Sequence, residues 1–150
     1  MDISQARPVH LLVTDDDEDD RLLIKEAFED GNIMNPVSYF SNGKELIEYL
    51  ESEKKDPDRV SSISYLILLD LNMPVMGGIE TLDILKKSEK FKKIPVVILT
   101  TSKTEEDILK SYDSGVNSYI SKPVTFTGLV DVMKALQKFW LQFVEFPHGK

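Results

Sequence analysis

Oxygen-bearing side chains carry most of the chemistry available to this chain. Six consecutive acids, Asp15-Asp16-Asp17-Glu18-Asp19-Asp20, stand near its start, and Asp70 opens the segment Asp70-Leu71-Asn72-Met73-Pro74. Thr100-Thr101-Ser102 and Ser121-Lys122-Pro123 come later, and each of the four segments follows a short apolar run. If those runs are parallel strands, their carboxyl ends gather at one sheet edge, where open parallel sheets bind ligands beside the reversal of strand order. Asp15, Asp16 and Asp70 in one pocket repel each other unless a cation or protons compensate. A hard divalent cation with oxygen ligands is the natural partner. Mg2+ fits better than Ca2+, because it keeps several waters and is completed by phosphate oxygens, so it needs few protein ligands. Lys122 then offers a compact positive charge to a phosphoryl oxygen, and Thr100 a hydroxyl donor. Asp70 is left with the nucleophile's role, since a carboxylate that attacks phosphorus forms an acyl phosphate.

The elements that must hold these groups follow from periodicity. Apolar runs at 9–13, 37–40, 65–69, 96–99 and 118–120 alternate with amphipathic stretches, which is the pattern of strand-helix units around a parallel sheet. The run 65–69 is apolar throughout, as a central strand covered on both faces should be. The first helix passes through Leu22, Leu23, Ala27 and Phe28 and stops at Gly31, a residue suited to a left-handed cap. Further helices are expected over 44–51, after Gly78, through Ile108 and Tyr112 to near Gly115, and from about 127 to 144. The prediction is an α/β fold of five units, (βα)5, a doubly wound parallel five-stranded sheet. A 13-residue polar stretch, 52–64, is expected to be a surface loop.

The chain has 150 residues, the scale of one domain, read as 1–150 with a core over about 9–139 and a helical extension over about 140–150. With no cysteine there is no disulfide framework, thiolate metal site or cysteine nucleophile. No apolar run approaches the roughly 18 to 20 residues of a membrane span, and the first ten residues lack a signal-peptide core, so the expected location is cytoplasmic. Eighteen basic and 26 acidic residues give a net charge of −8, which argues against nonspecific nucleic-acid binding. Without the six-acid run, 20 acids face 18 bases, so most of the excess sits at the mouth of the expected metal site.

These residues together resemble the receiver domain of two-component response regulators, the CheY-like family with its flavodoxin-like fold. The separations of 30 residues from Asp70 to Thr100 and 52 from Asp70 to Lys122 are similar to the family's, as is Leu69-Asp70-Leu71-Asn72-Met73-Pro74 followed by Gly77-Gly78. The resemblance implies Asp70 as phosphoacceptor, Asp15 and Asp16 as the acidic pair, and Asn72 as a metal ligand through its backbone carbonyl. It also implies Thr100 and Lys122 as phosphate contacts, Tyr119 as the aromatic switch coupled to Thr100, and a sensor histidine kinase or phosphotransfer protein as donor. The segment 11–20 and the ending Phe139-Trp140-Leu141 with Phe146-Pro147 are similar to small single-domain regulators paired with phytochrome-type or hybrid sensor kinases. Thr101 stands where many receivers have Ala or Gly, which should narrow access to Asp70.

Other readings compete. Asp15, Asp17, Asp19 and Glu26 occupy positions 1, 3, 5 and 12 of an EF-hand loop, but Asp20 holds the position of the required glycine and the preceding segment is strand-like. Asp17 to Asp20 are expected to be a solvated helix start, favoured by the helix dipole. A haloacid-dehalogenase-type phosphatase also uses a strand-end Asp, but needs a second Asp two residues on, where this chain has Asn72. A scaffold that binds without phosphorylation leaves the intact site unused. The expected protein is thus a stand-alone signalling receiver, not a turnover enzyme. In the last helix Leu129, Met133, Leu136, Trp140 and Phe143 form a core stripe. Val132, Phe139 and Phe146 fall outside it, which suggests a homodimer through that helix and its extension. His10 and His148 are expected to be structural or exposed.

Overall fold

The computed structural model describes residues 9–53 and 64–143. Five strands, β1 (Val9–Thr14), β2 (Val37–Phe40), β3 (Ser64–Leu69), β4 (Val96–Thr100) and β5 (Ser118–Ser121), alternate with helices α1 (Glu18–Asp30), α2 (Gly43–Glu53), α3 (Gly78–Lys87), α4 (Glu105–Asp113) and α5 (Phe126–Leu136). All strand pairs are parallel, in the order β2-β1-β3-β4-β5, so strand order reverses between β1 and β3. The expected (βα)5 doubly wound sheet is the observed one. Because α2 reaches Glu53 and β3 begins at Ser64, only 54–63 of the expected polar loop remains, and it lies outside the described residues.

Every residue of β1, β3 and β4 is buried, whereas the edge strands β2 and β5 are mostly half-buried. The pleat splits each central strand between two cores. Leu11, Val13, Leu66, Leu68, Val97 and Leu99 pack with Ile24, Ala27 and Phe28 of α1 and Leu129, Met133 and Leu136 of α5. Leu12, Ile67, Leu69 and Ile98 face Leu46 and Leu50 of α2 and Leu82 and Leu85 of α3. Each such aliphatic side chain stabilises the fold by roughly 1.5–3 kcal/mol through its removal from water. Among the described residues no helix is long and apolar enough to cross a membrane.

Several local expectations need correction. Gly31 has φ −83°, and the left-handed residue is its neighbour Asn32 at φ 60°. The chain there closes by Gly31 and Ile33 N–H donation to the Ala27 and Phe28 carbonyls, so the turn comes one residue later than expected. Gly115, at φ +96°, does take the left-handed conformation after α4. Leu22 and Leu23 are exposed, and Ile24 turns into the core in their place. Tyr112 is exposed as well, and the buried residue of α4 is Ser111. The last helix is α-helical only to Leu136 and continues as a π-helical stretch, Gln137–Phe143. Its expected stripe nevertheless holds through Trp140, which is 8 % exposed, while Phe139 is 56 % exposed. The side chain of Phe143, and Phe146 and His148, lie outside the described residues. His10 is buried on β1, with its Nε2 2.8 Å from the Ser38 hydroxyl.

Candidate functional site

Register fixes the two principal carboxylates before any side chain is considered. Thr14 pairs with Leu69, so Asp15 and Asp70 each stand one residue beyond the last rung of adjacent strands at the reversal point. The Asp15 N–H donates to the Phe40 carbonyl at 3.0 Å and the Asp70 N–H to the Thr14 carbonyl at 3.0 Å. On the other side of the sheet, the Lys122 N–H donates to the Thr100 carbonyl at 2.8 Å. Backbone ladders therefore carry Asp15, Asp70, Thr100 and Lys122 to one edge, as their positions after the apolar runs imply.

Carboxylate oxygens of Asp15, Asp16 and Asp70 lie within 4.8 Å of one another. Asp15 and Asp70 are buried and Asp16 is exposed. Burial pushes the carboxyls of both Asp15 and Asp70 above their ordinary range, against the opposing effects of hydrogen bonds and the nearby Lys122. The Thr100 hydroxyl and the Leu71 N–H act on the Asp70 carboxylate against that rise. The Lys122 ammonium binds the Asp15 carboxylate closely, reaches Asp20 Oδ2 at 2.9 Å and stands 4.0 Å from Asp70 Oδ1. One ammonium cannot neutralise this group of carboxylates. An all-oxygen donor set with surplus negative charge fits a hard divalent cation held by Asp15, Asp16 and Asp70.

The loop after Asp70 is held tightly. The Gly78 N–H donates to the Leu71 carbonyl at 2.9 Å, and a Cβ at Gly78 would stand 2.4 Å from the Asp70 carbonyl oxygen, so a side chain there would displace the backbone of the nucleophile. Val75 in this loop has φ 67° and is 77 % exposed, an uncommon conformation for a β-branched residue. Asn72 and Thr101 are exposed.

The hydrogen bonds of Tyr119 and Thr100 meet at Ser102. The Tyr119 hydroxyl donates to the Ser102 carbonyl at 2.9 Å, and the Ser102 N–H donates to Thr100 Oγ1 at 3.4 Å. The Ser102 hydroxyl is held in turn by Asp107 Oδ2 at 2.5 Å. The link from Tyr119 to Thr100 thus runs through Ser102, a connection with no sequence signal beyond adjacency to the strand end.

The six-acid run divides by role. Asp17 caps α1, its Oδ1 accepting from the Asp19 N–H at 2.8 Å and the Asp20 N–H at 3.4 Å. Glu18 and Asp19 lie in the first turn, where acids suit the dipole, as expected. Asp20 departs from that reading by pairing with Lys122. Its one clue in the sequence is that it lies one helical turn beyond Asp16. Nothing in the sequence marks Arg21, whose Nη1 donates to the Asp15 carbonyl at 2.6 Å and fixes the backbone of the first acid. Glu26 sits inside α1, so the calcium-loop reading fails on the helix itself.

Comparison with known proteins agrees with this geometry. The family model described as the response regulator receiver domain matches residues 11–134. The probable methanogenesis regulatory protein FilR2 of Methanothrix harundinacea is 33 % identical over 93 % of this chain and 89 % of its own length. Response regulator Rcp1 of Synechocystis is 32 % identical over 93 % of this chain and 94 % of its own. Among solved structures, the phosphorylated cyanobacterial phytochrome response regulator RcpA superposes with a TM-score of 0.81 at 37 % identity, covering 95 % of this chain and 99 % of that one. The Mn(2+)-bound form of Rcp1 gives 0.78 at 31 % identity, covering 93 % and 99 %.

Proposed function

This chain belongs to the response regulator receiver family, and from that premise we propose that Asp70 accepts a phosphoryl group from a phosphohistidine on a sensor histidine kinase or phosphotransfer protein. An oxygen of Asp70 bonds to phosphorus as the P–N bond breaks, and the electron pair of that bond stays on the imidazole nitrogen. Asp15, Asp16 and Asp70, with the backbone carbonyl of Asn72, would hold Mg2+, which when bound supplies charge neutralisation for the phosphoryl oxygens. Thr100 donates its hydroxyl to a phosphoryl oxygen and Lys122 provides the ammonium. The observation that carries the reading is Asp70 itself: a buried strand-end carboxylate with Lys122 at 4.0 Å and two further acids beside it. Water later attacks phosphorus, the carboxylate leaves, and orthophosphate departs, so the protein resets itself slowly and is not a turnover enzyme.

Phosphoryl contacts would draw on the Thr100 hydroxyl, and the chain Thr100–Ser102–Tyr119 passes that change to β5 and α4. The signal leaves by protein contact from a receiver unit spanning 1–150, with its core over about 9–139 and an extension over about 140–150, in the cytoplasm. Similarity to RcpA and Rcp1 supports a phytochrome-type or hybrid sensor kinase as donor. A homodimer through α5 and its extension is part of the proposal. An open apolar groove of about 260 Å³ lined by Ile120, Val132, Leu136, Phe139 and Trp140 supports it. Sedimentation at high protein concentration should give a dimer that Phe139→Asp disrupts; a monomer with and without phosphorylation contradicts it. The central proposal is tested by incubating native chain and Asp70→Asn with a small phosphodonor and Mg2+ and reading intact mass. One phosphoryl adduct on the native chain alone is expected.

A further inference from the structure

Lys122 is held away from the carboxylate it is meant to serve. Its ammonium is 4.0 Å from Asp70 Oδ1, outside hydrogen-bonding distance, yet within it for both Asp15 and Asp20. The two anchors differ. Asp15 is almost fully buried, bonded at Oδ1 by the Asp17 N–H, and belongs to the acidic trio that fits a cation. Asp20 belongs to α1, is outside that trio, and leaves its side chain 35 % exposed. Its place at the start of α1 is set by the backbone, because its N–H is capped by Asp17.

We propose that Asp20 is a positioning residue that competes for Lys122: it holds the ammonium on the α1 side of the site, so that a phosphoryl group on Asp70 must draw the lysine away from it. This rests on the phosphoacceptor role proposed for Asp70. A carboxylate engaged with a cation has less to offer Lys122, so Asp20 is the anchor that remains when the trio is charge-satisfied. The acid therefore sets how readily the site is phosphorylated without touching the phosphoryl group or the metal.

The test uses the full chain with acetyl phosphate and Mg2+, with intact mass followed over time. Asp20→Asn should be phosphorylated about threefold faster than native, the size expected of one partly exposed ion pair. Asp19→Asn removes the same charge one residue away, from an exposed side chain, and it should change the rate by less than about 1.5-fold, because an exposed charge is screened. In a Lys122→Ala background the two Asn variants should be indistinguishable, which ties the effect to the lysine. With Mg2+ and no donor, a crystal structure of Asp20→Asn should show the Lys122 Nζ to Asp70 Oδ1 distance shortened from 4.0 Å to hydrogen-bonding range. Equal rates for Asp20→Asn and Asp19→Asn, a slower Asp20→Asn, an Asp20 effect that survives loss of Lys122, or a lysine that does not move each overturn the inference. Absence of an adduct on the native chain is a different failure, that of Asp70 as acceptor, and it removes this inference as well.

Discussion

Asp70→Asn should stabilise the metal-free protein, by an amount that the site geometry bounds. At an effective dielectric of 20, one like charge within 4.8 Å costs at least about 3.5 kcal/mol and the Lys122 ammonium 4.0 Å away returns about 4.2 kcal/mol. Asp16 is exposed, so its repulsion of Asp70 falls toward the water value of about 0.9 kcal/mol. Those effects nearly cancel, and burial decides the sign; it is the largest influence on Asp70 and raises its carboxyl. Asn keeps the volume and can still accept from Thr100, while Lys122 keeps Asp15 and Asp20. Removal of the charge is therefore worth about 1–2 kcal/mol, or roughly 3–6 °C in Tm for a chain of this length. The pH dependence has a definite sign. A carboxyl raised in the folded state binds its proton more tightly there than in the unfolded chain, so native protein gains on the variant as pH falls toward the ordinary value of 3.8. Thermal unfolding by circular dichroism in EDTA, near neutral pH and at about pH 5, measures both. The variant should melt higher at neutral pH, the gap should narrow on acidification, and Mg2+ should raise the native Tm far more than the variant's. A variant no more stable than native in EDTA, or a gap that widens in acid, refutes the reasoning.

Two backbone positions give further outcomes. Val75→Gly removes a β-branched residue from φ 67°, and the relief of left-handed strain, offset by glycine's greater unfolded freedom, should raise stability by about 0.5–1 kcal/mol in urea unfolding; a loss of stability would show the conformation to be unstrained. Gly78→Ala forces a Cβ to within 2.4 Å of the Asp70 carbonyl oxygen and 2.6 Å of Leu71 Cα. It should lower stability by about 2–3 kcal/mol and slow phosphorylation at least about tenfold through displacement of the nucleophile; a native-like rate would mean that the loop yields without moving Asp70.

What the sequence discloses and what it withholds divide along physical lines. Leu66, Ile67 and Leu68 lie in a five-residue apolar run, the length and pattern of a strand covered on both faces, and the alternation of such runs with amphipathic stretches suffices to bring Asp70 beside Asp15. Thr100 and Lys122 are legible for the same reason: Thr100 ends β4 and Lys122 follows β5 directly. Asp20 was not legible, because an acid in a first helical turn looks the same whether it faces water or a lysine 102 positions later. Leu22, Leu23 and Ile24 are interchangeable by type, and only the rotation of α1 about its axis decides that Ile24 is buried. Likewise the relay through Ser102 uses that residue's backbone carbonyl and N–H, which every residue possesses. The π-helical stretch keeps Trp140 in the core, so the apolar stripe survives a change of winding that the stripe itself could not reveal.

The central claim is that one carboxylate, Asp70, takes the phosphoryl group. Chain phosphorylated by a small phosphodonor with Mg2+, then treated with borohydride and digested, should yield a single peptide in which Asp70 has become homoserine, because borohydride reduces an acyl phosphate and leaves a free carboxylate intact. Homoserine at Asp15 or Asp16 instead, or phosphorylation that survives in Asp70→Asn, would contradict the account.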